Sequence, residues 1–419
     1  MNLVREDNPF RTFSPSNWTI EMKTAFGVIG ANYGDEAKGS NVDRIVHGLG
    51  GKVVVVVRSN GGAQAGHTVV TPDGRRHVFH HIGSGAYAGA ATHLSRFFVH
   101  HPMSFMAERD ELAAEGACVK VTADPHGYVT TPWDMMVNQV LEVSRGRDRH
   151  GSCGYGLGET MGRNEETMYG LNFGDLSWSG LRRKLESIRD IWLRDRLLVL
   201  GVTPDEEMTR VIASPAVMEH FLADCAEFVG AVRPMDDAEL GKARHVVFEG
   251  AQGLLLDQRG KDFPHVTRSN TGIQNMAAIA REAGIGRIEA TYATRAYLTR
   301  HGAGPMPDER DISQWFDVVD ATNVPNAWQS AIRYGLLNVD LLAASIRNDV
   351  VKAPGMDVVV SLAVSCLDQI VTGRVPCVVS GASVFVDAAE LPGMLAKRVG
   401  AWSVVPIYSA GRALLSMAA

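Results

Sequence analysis

Residues 34–40 read GDEAKGS, between an apolar run and a segment with helical character. A glycine-rich turn opening a helix suits phosphate, because its backbone N–H groups point at the ligand. Asp35 and Glu36 at its centre would repel such a ligand unless they have a chemical task. The order of Lys38, Gly39 and Ser40 differs from the G-x-x-x-x-G-K-[ST] phosphate loop. On its own the stretch reads equally as a strand-to-helix turn with acids near a helix N-terminus, where carboxylates are favoured. A second glycine-rich stretch, RSNGGAQAGHT (58–68), follows a valine run. Gly61, Gly62 and Gly66 permit close backbone approach, Gln64 and Thr68 offer neutral polar contacts, and His67 titrates near neutral pH. A lone histidine is usually structural; paired with an acid on a neighbouring turn, it suggests proton transfer.

These turns need strands to carry them. FGVIG (26–30), KVVVVVR (52–58), HVVFEG (245–250), RIEATYAT (287–294) and MDVVVSLAVS (356–365) are short, largely apolar runs without a strict polar alternation, which suggests strands covered on both faces. Helical segments such as SGLRRKLESIRDIWLRDRLLVLG and SPAVMEHFLADCAEFVGAV lie between them, predicting an α/β fold with a mainly parallel central sheet. Ligands then bind at the strands' carboxyl ends, where the glycine-rich turns fall. The expected organisation is an N-terminal arm over 1–23 and one large catalytic domain over 24–419. Of the 419 residues, 45% are hydrophobic and 21% charged, and the formal net charge is −6, so no global basic field favours nucleic acid. No apolar stretch is long enough to span a bilayer, and the N-terminus lacks a signal-peptide core. Five dispersed cysteines form no metal or disulfide pattern and fit a cytoplasmic setting. GVIGANYGDE lacks the G-x-G-x-x-G spacing of a dinucleotide fold.

GDEAKGS and NGGAQAGHT, followed in order by FEGAQGLLLD (248–257), VTRSNT (266–271) and HGAGPMPDE (301–309), resemble the adenylosuccinate synthetase family over about residues 26–411. The resemblance implies a P-loop-like ligase that phosphorylates O6 of a 6-oxopurine nucleotide and then displaces phosphate with the amino group of aspartate. It implies Asp35 as base, His67 as acid or electrophile and Gln252 as the group orienting O6. Mg²⁺ would bridge the phosphates beside Asp35 and Gly66. Gly34, Glu36, Ala37, Lys38, Gly39, Ser40, Gly66 and Thr68 would bind the triphosphate, with Asp368, Ser409 and Gly411 near its base. Asn60, Gln64, Ser152, Cys153 and Thr267 would contact the purine nucleotide, as would Arg163, reaching across a homodimer. Thr322, Asn323 and Arg333 would hold aspartate, helped by Asn326 and Gln329.

Several positions depart from the family pattern. The arginine-rich aspartate loop is replaced by ATNVPNAWQSAIRYG (321–335). SCLD (365–368) puts Cys366 where enzymes using GTP carry lysine, which favours ATP or dATP as donor. Ala37, Ser40, Ala63 and Gln64 alter the turns around the purine. That combination resembles the viral 2-aminoadenylosuccinate synthetases, which act on dGMP in the host cytoplasm, although many of that branch lose the aspartate kept here at Asp35. The expected acceptor is dGMP, with IMP as the alternative. A catalytically inactive purine sensor would need neither Asp35 nor His67.

Overall fold

The computed structural model describes residues 22–318 and 331–407. The expected arm over 1–23 lies almost wholly outside them, as do Thr322, Asn323, Asn326, Gln329, Ser409 and Gly411. All five predicted runs are strands. With four shorter ones they build a nine-stranded sheet: β1 (Thr24–Gly30), β2 (Val54–Arg58), β3 (Ala91–Leu94), β4 (Val121–Ala123), β5 (Val232–Pro234), β6 (His245–Glu249), β7 (Arg287–Arg295), β8 (Asp357–Ser365) and β9 (Ser403–Pro406). Their spatial order is β9-β8-β7-β1-β6-β2-β3-β4-β5, and every pairing is parallel. The expected α/β fold is therefore present.

The unbroken apolar runs have a direct cause. Val28 of β1, Val54 and Val56 of β2 and Val247 of β6 pack on one side with Val42 and Val46 of helix α1 (Lys38–Gly48). The alternate residues Ile29, Val57 and Phe248 pack on the other, with Met276, Ala277 and Ala280 of the helix Ile273–Glu282. Strands buried on both faces cannot alternate polar with apolar residues. Each buried valine contributes about 1.5–3 kcal/mol, so a charge at Val46 would detach α1 from the sheet.

The long segment after residue 180 folds as helix Leu181–Ser187, a five-residue π turn over Ile188–Trp192 and helix Leu193–Leu200. It joins helix Pro215–Ala231 in a second apolar cluster with Phe105, Trp133, Phe221 and Phe228. No helix among the described residues is long and apolar enough to cross a membrane. All five cysteines are free.

Candidate active site

Four central strands end side by side in the order β7-β1-β6-β2, and the predicted turns leave from these ends. After β1 the chain runs through Gly34, Asp35, Glu36 and Ala37 into α1, with φ of 88°, 59° and 59° at Gly34, Asp35 and Ala37. Left-handed conformations at an aspartate and an alanine are strained, and such strain gathers at ligand sites. Gln252, after β6, has φ 64°. The two turns lie against each other. A side-chain carbon at Gly253 would overlap the Asn32 carbonyl and the Gly34 amide, and one at Gly30 would overlap Glu36 and the Gln252 carbonyl. Leu255 N–H donates to the Asn32 carbonyl at 2.8 Å.

Helix α1 begins at Ala37 with no side-chain cap, so its first amides are available to an anion. Lys38 and Gly39 are buried there. Glu36 Oε1 accepts from Asn32 N–H at 2.7 Å, while buried Glu36 Oε2 and Asn32 Oδ1 have no hydrogen-bond partner among the described residues. Burial pushes the Glu36 carboxyl up to about 8, against the opposing pull of Lys38. Burial thus works against a second full negative charge in the phosphate turn.

Asp35 is held by a residue the sequence reading passed over. Arg295, the last residue of β7, donates through Nη2 to Asp35 Oδ2 at 2.5 Å and through Nε to the Asp35 backbone carbonyl at 2.5 Å. Arg295 also donates to Tyr297 Oη at 3.1 Å, and Tyr297 donates to Gln369 Oε1 at 2.6 Å. Nothing in RIEATYATR sets this arginine apart from the other polar residues of its strand.

His67 begins the hairpin strand His67–Val70 rather than lying in the glycine loop; it pairs with Phe79 of Arg76–Phe79. Its Nδ1 lies 2.5 Å from Glu249 Oε1, at the end of β6. A side-chain carbon at Gly39 would sit 3.1 Å from His67 Cβ, which explains the glycine that brings α1 against the histidine. Burial, reinforced by Arg58, pushes the His67 imidazole down to about 4 even though Glu249 pulls it up. Burial alone would raise the Glu249 carboxyl, but Arg58, His67 and Ser84 together hold it near 2. Ser40 Oγ and the Thr68 carbonyl meet at 3.5 Å.

Other predicted contacts are placed differently. Asn60 is buried and joins two turns: its Oδ1 accepts from Ala251 N–H at 2.7 Å and its Nδ2 donates to the Ala251 carbonyl at 3.0 Å. Gln64 Nε2 is buried without a hydrogen-bond partner among the described residues, beside a crevice where Gly62 and Ala63 face Tyr155 and Leu157. Ser152 Oγ donates to Asn138 Oδ1 at 2.7 Å, on the helix Pro132–Ser144. Burial raises the Cys153 thiol. Thr267 N–H donates to the Leu256 carbonyl at 2.8 Å. Asp368 lies in a short turn after β8, beside Cys366 at φ 62°.

Two of the predicted arginines are engaged within the fold. Arg163, expected to reach a partner's nucleotide, is 1% exposed. It donates twice to Asp134 at 2.9 and 2.8 Å and at 2.8 Å to the carbonyls of Tyr169 and Val129, so four of its five N–H donors are used within the fold. Arg333, expected to hold aspartate, pairs bidentately with Glu309 and donates to the Gly302 and Gly304 carbonyls at 3.0 and 2.9 Å. Nearby, Arg300 stacks 4.5 Å over the ring of Tyr33, linking this cluster to the Asp35 turn.

The adenylosuccinate synthetase family model matches residues 27–352, from β1 to the end of the helix before β8. This chain belongs to the adenylosuccinate synthetase family. Relatives named adenylosuccinate synthetase include those of Frankia alni, 34% identical over 68% of this chain, and Anaeromyxobacter, 32% identical over 67%. The matched stretch spans 66% and 64% of those relatives' own lengths. In fold, the chain is similar to a fully ligated adenylosuccinate synthetase from Plasmodium falciparum: TM-score 0.67 at 16% identity, over 93% of this chain and 97% of that one. It is also similar to the succinoaminodeoxyadenylate synthetase of cyanophage S-2L bound to dGMP and dATP: TM-score 0.56 at 16% identity, over 93% of each chain. Asp368, Ser409 and Gly411 fall beyond the family match.

Proposed function

We propose that this member of the adenylosuccinate synthetase family ligates L-aspartate to C6 of a 6-oxopurine nucleotide at the expense of a nucleoside triphosphate. The reading is supported by two abutting turns, Asp35 after β1 and Gln252 after β6, and by His67, which lies against Gly39 of the uncapped α1 and bonds Glu249 at the end of β6. Asp35 removes the N1 proton of the purine, making O6 nucleophilic. O6 takes the γ-phosphoryl group and the nucleoside diphosphate leaves. The aspartate amine then attacks C6, inorganic phosphate departs, and the amine loses a proton. His67 takes up a second proton at Nε2 when the phosphates bring their negative charge beside it, and from there donates to the phosphorylated oxygen, while Gln252 orients O6. Lys38 and the first amides of α1 hold the triphosphate.

The oxygen donors at the turn fit Mg²⁺, which prefers hard ligands: the carboxylate of Asp35 and the carbonyl of Gly66 would hold it. When bound, it neutralises phosphate charge. Burial of Glu36, which disfavours its charge, and the neighbouring Lys38 both lessen repulsion of the triphosphate by the turn.

Within this reading dGMP is the acceptor and ATP or dATP the donor. Ala37, Ser40, Ala63 and Gln64 change the purine surroundings, and Cys366 leaves no lysine stem to flank a guanine. IMP is the second reading, supported by the relatives named adenylosuccinate synthetase. An acceptor site built to pair the 2-amino group would reject IMP strongly, whereas mere room for it would discriminate by about 1–3 kcal/mol. The catalytic domain over 24–419, a homodimeric state and a cytoplasmic setting belong to the same proposal. Phosphate release requiring nucleotide, aspartate and triphosphate together tests it; release that ignores aspartate, or none at all, returns the chain to a hydrolase or a sensor.

A further inference from the structure

The glycine turn delivers His67, but the groups that aim its ring come from two other strands. Arg58 ends β2 and Glu249 ends β6, directly opposite each other in the parallel register. Opposed residues share a face, here the α1 side that Val56 and Val247 also occupy. Both side chains are fully buried and approach to 3.9 Å. Glu249 is an acceptor on every side: Oε1 takes His67 Nδ1 and Ser84 Oγ, each at 2.5 Å, and Oε2 takes Ser84 N–H at 3.0 Å. Arg58 lies 5.4 Å from the centre of the Phe98 ring, and none of its three guanidinium nitrogens has a hydrogen-bond partner among the described residues. A buried guanidinium that gives no hydrogen bond to the fold is costly unless its charge is needed. His67 Nε2 is also buried and without a hydrogen-bond partner there.

We infer that Glu249, with Arg58 as its buried countercharge, is the positioning residue for His67. It pins Nδ1 and leaves Nε2 as the nitrogen available to a bound nucleotide. An ionised carboxylate cannot donate, so Nδ1 carries the hydrogen and the ring has one permitted orientation. This rests on the proposed role of His67 in phosphoryl transfer. Glu249 itself does not touch the reacting atoms.

The test is Glu249→Gln, which preserves shape but cannot accept on both sides. In that variant kcat should fall about 10- to 100-fold with KM for the purine nucleotide within about threefold, and Ser84→Ala should lower kcat by only a few-fold. A merely structural Glu249 would instead lose folded protein while the survivors kept wild-type kcat, and that result overturns the inference. A second readout needs no variant of Glu249. In ¹⁵N-histidine-labelled wild-type protein, with the His67 resonances assigned by difference against His67→Gln, Nδ1 should be protonated at neutral pH. A bare Nδ1 contradicts the inference even if Glu249→Gln fails to fold. If wild type makes no product from any acceptor, the proposed function falls, and the ring spectrum still decides whether Glu249 sets the histidine.

Discussion

Two arginine–carboxylate pairs stand next to each other on the carboxyl edge of the sheet. Arg295 of β7 meets Asp35 after β1 at 2.5 Å, with side chains 11% and 31% exposed. Arg58 of β2 meets Glu249 of β6 at 3.9 Å, both at 0%. The outer pair sits on a left-handed turn that a ligand can reach; the inner pair sits beneath it and passes its geometry to His67. A buried pair in good geometry orders its neighbours, whereas a half-exposed one keeps a carboxylate able to exchange partners. Arg163 and Asp134 make a third pair, also at 0% and richly hydrogen-bonded, on the helices Leu157–Glu166 and Pro132–Ser144. The same two residue types thus serve chemistry, positioning or architecture according to burial and to what the remaining donors do.

Breaking the outer pair should have the largest effect. Asp35→Asn removes the base, and turnover should fall by about 10³-fold or more with triphosphate binding largely kept, as measured by steady-state kinetics and calorimetric titration. An active Asn variant would sink the mechanism. Arg295→Ala should leave the fold intact and lower kcat about 10-fold, since Asp35 loses the contact that fixes its turn. Full activity would make that contact incidental. Arg163→Ala sharpens the contrast from the other direction. It should cost about 3–5 kcal/mol in denaturant unfolding, leaving Asp134 buried without its countercharge, while KM for nucleotide in the folded fraction is unchanged. A selective rise in KM would restore Arg163 to the nucleotide site.

The smallest effect concerns acid. Glu249 is held near 2, below its ordinary value of 4.5, so its contribution to stability is complete above about 4.5 and is lost as pH falls toward 2. Glu249→Gln should flatten the decline of Tm between pH 5 and 3 relative to wild type; a parallel decline would place that acid sensitivity elsewhere.

The sheet was legible because strands covered on both faces must be apolar throughout, and Val54–Val57 and Val358–Val360 announce that without periodicity. The four short strands were not, since three or four residues such as Val121–Ala123 carry no pattern of their own. Asp35, His67 and Gln252 could be singled out because glycines mark where backbone must turn or approach closely. Arg295 and Glu249 could not, because each ends an apolar strand as one polar letter and gains its meaning from a neighbour some 180 to 260 positions away. Arg163 misled for the opposite reason: among the polar residues of GETMGRNEE it looks solvated, and only the fold reveals Asp134 beneath it. Most of the expected aspartate loop lies outside the described residues.

The central claim is tested most directly by mass spectrometry of the product formed with aspartate and Mg²⁺, crossing ATP and GTP against dGMP and IMP. N6-succino-2-amino-2′-deoxyadenylate is expected from dGMP with ATP, and none from the Asp35→Asn enzyme. Product from IMP alone would keep the ligase and overturn the acceptor; no aspartate adduct from either nucleotide would contradict the account itself.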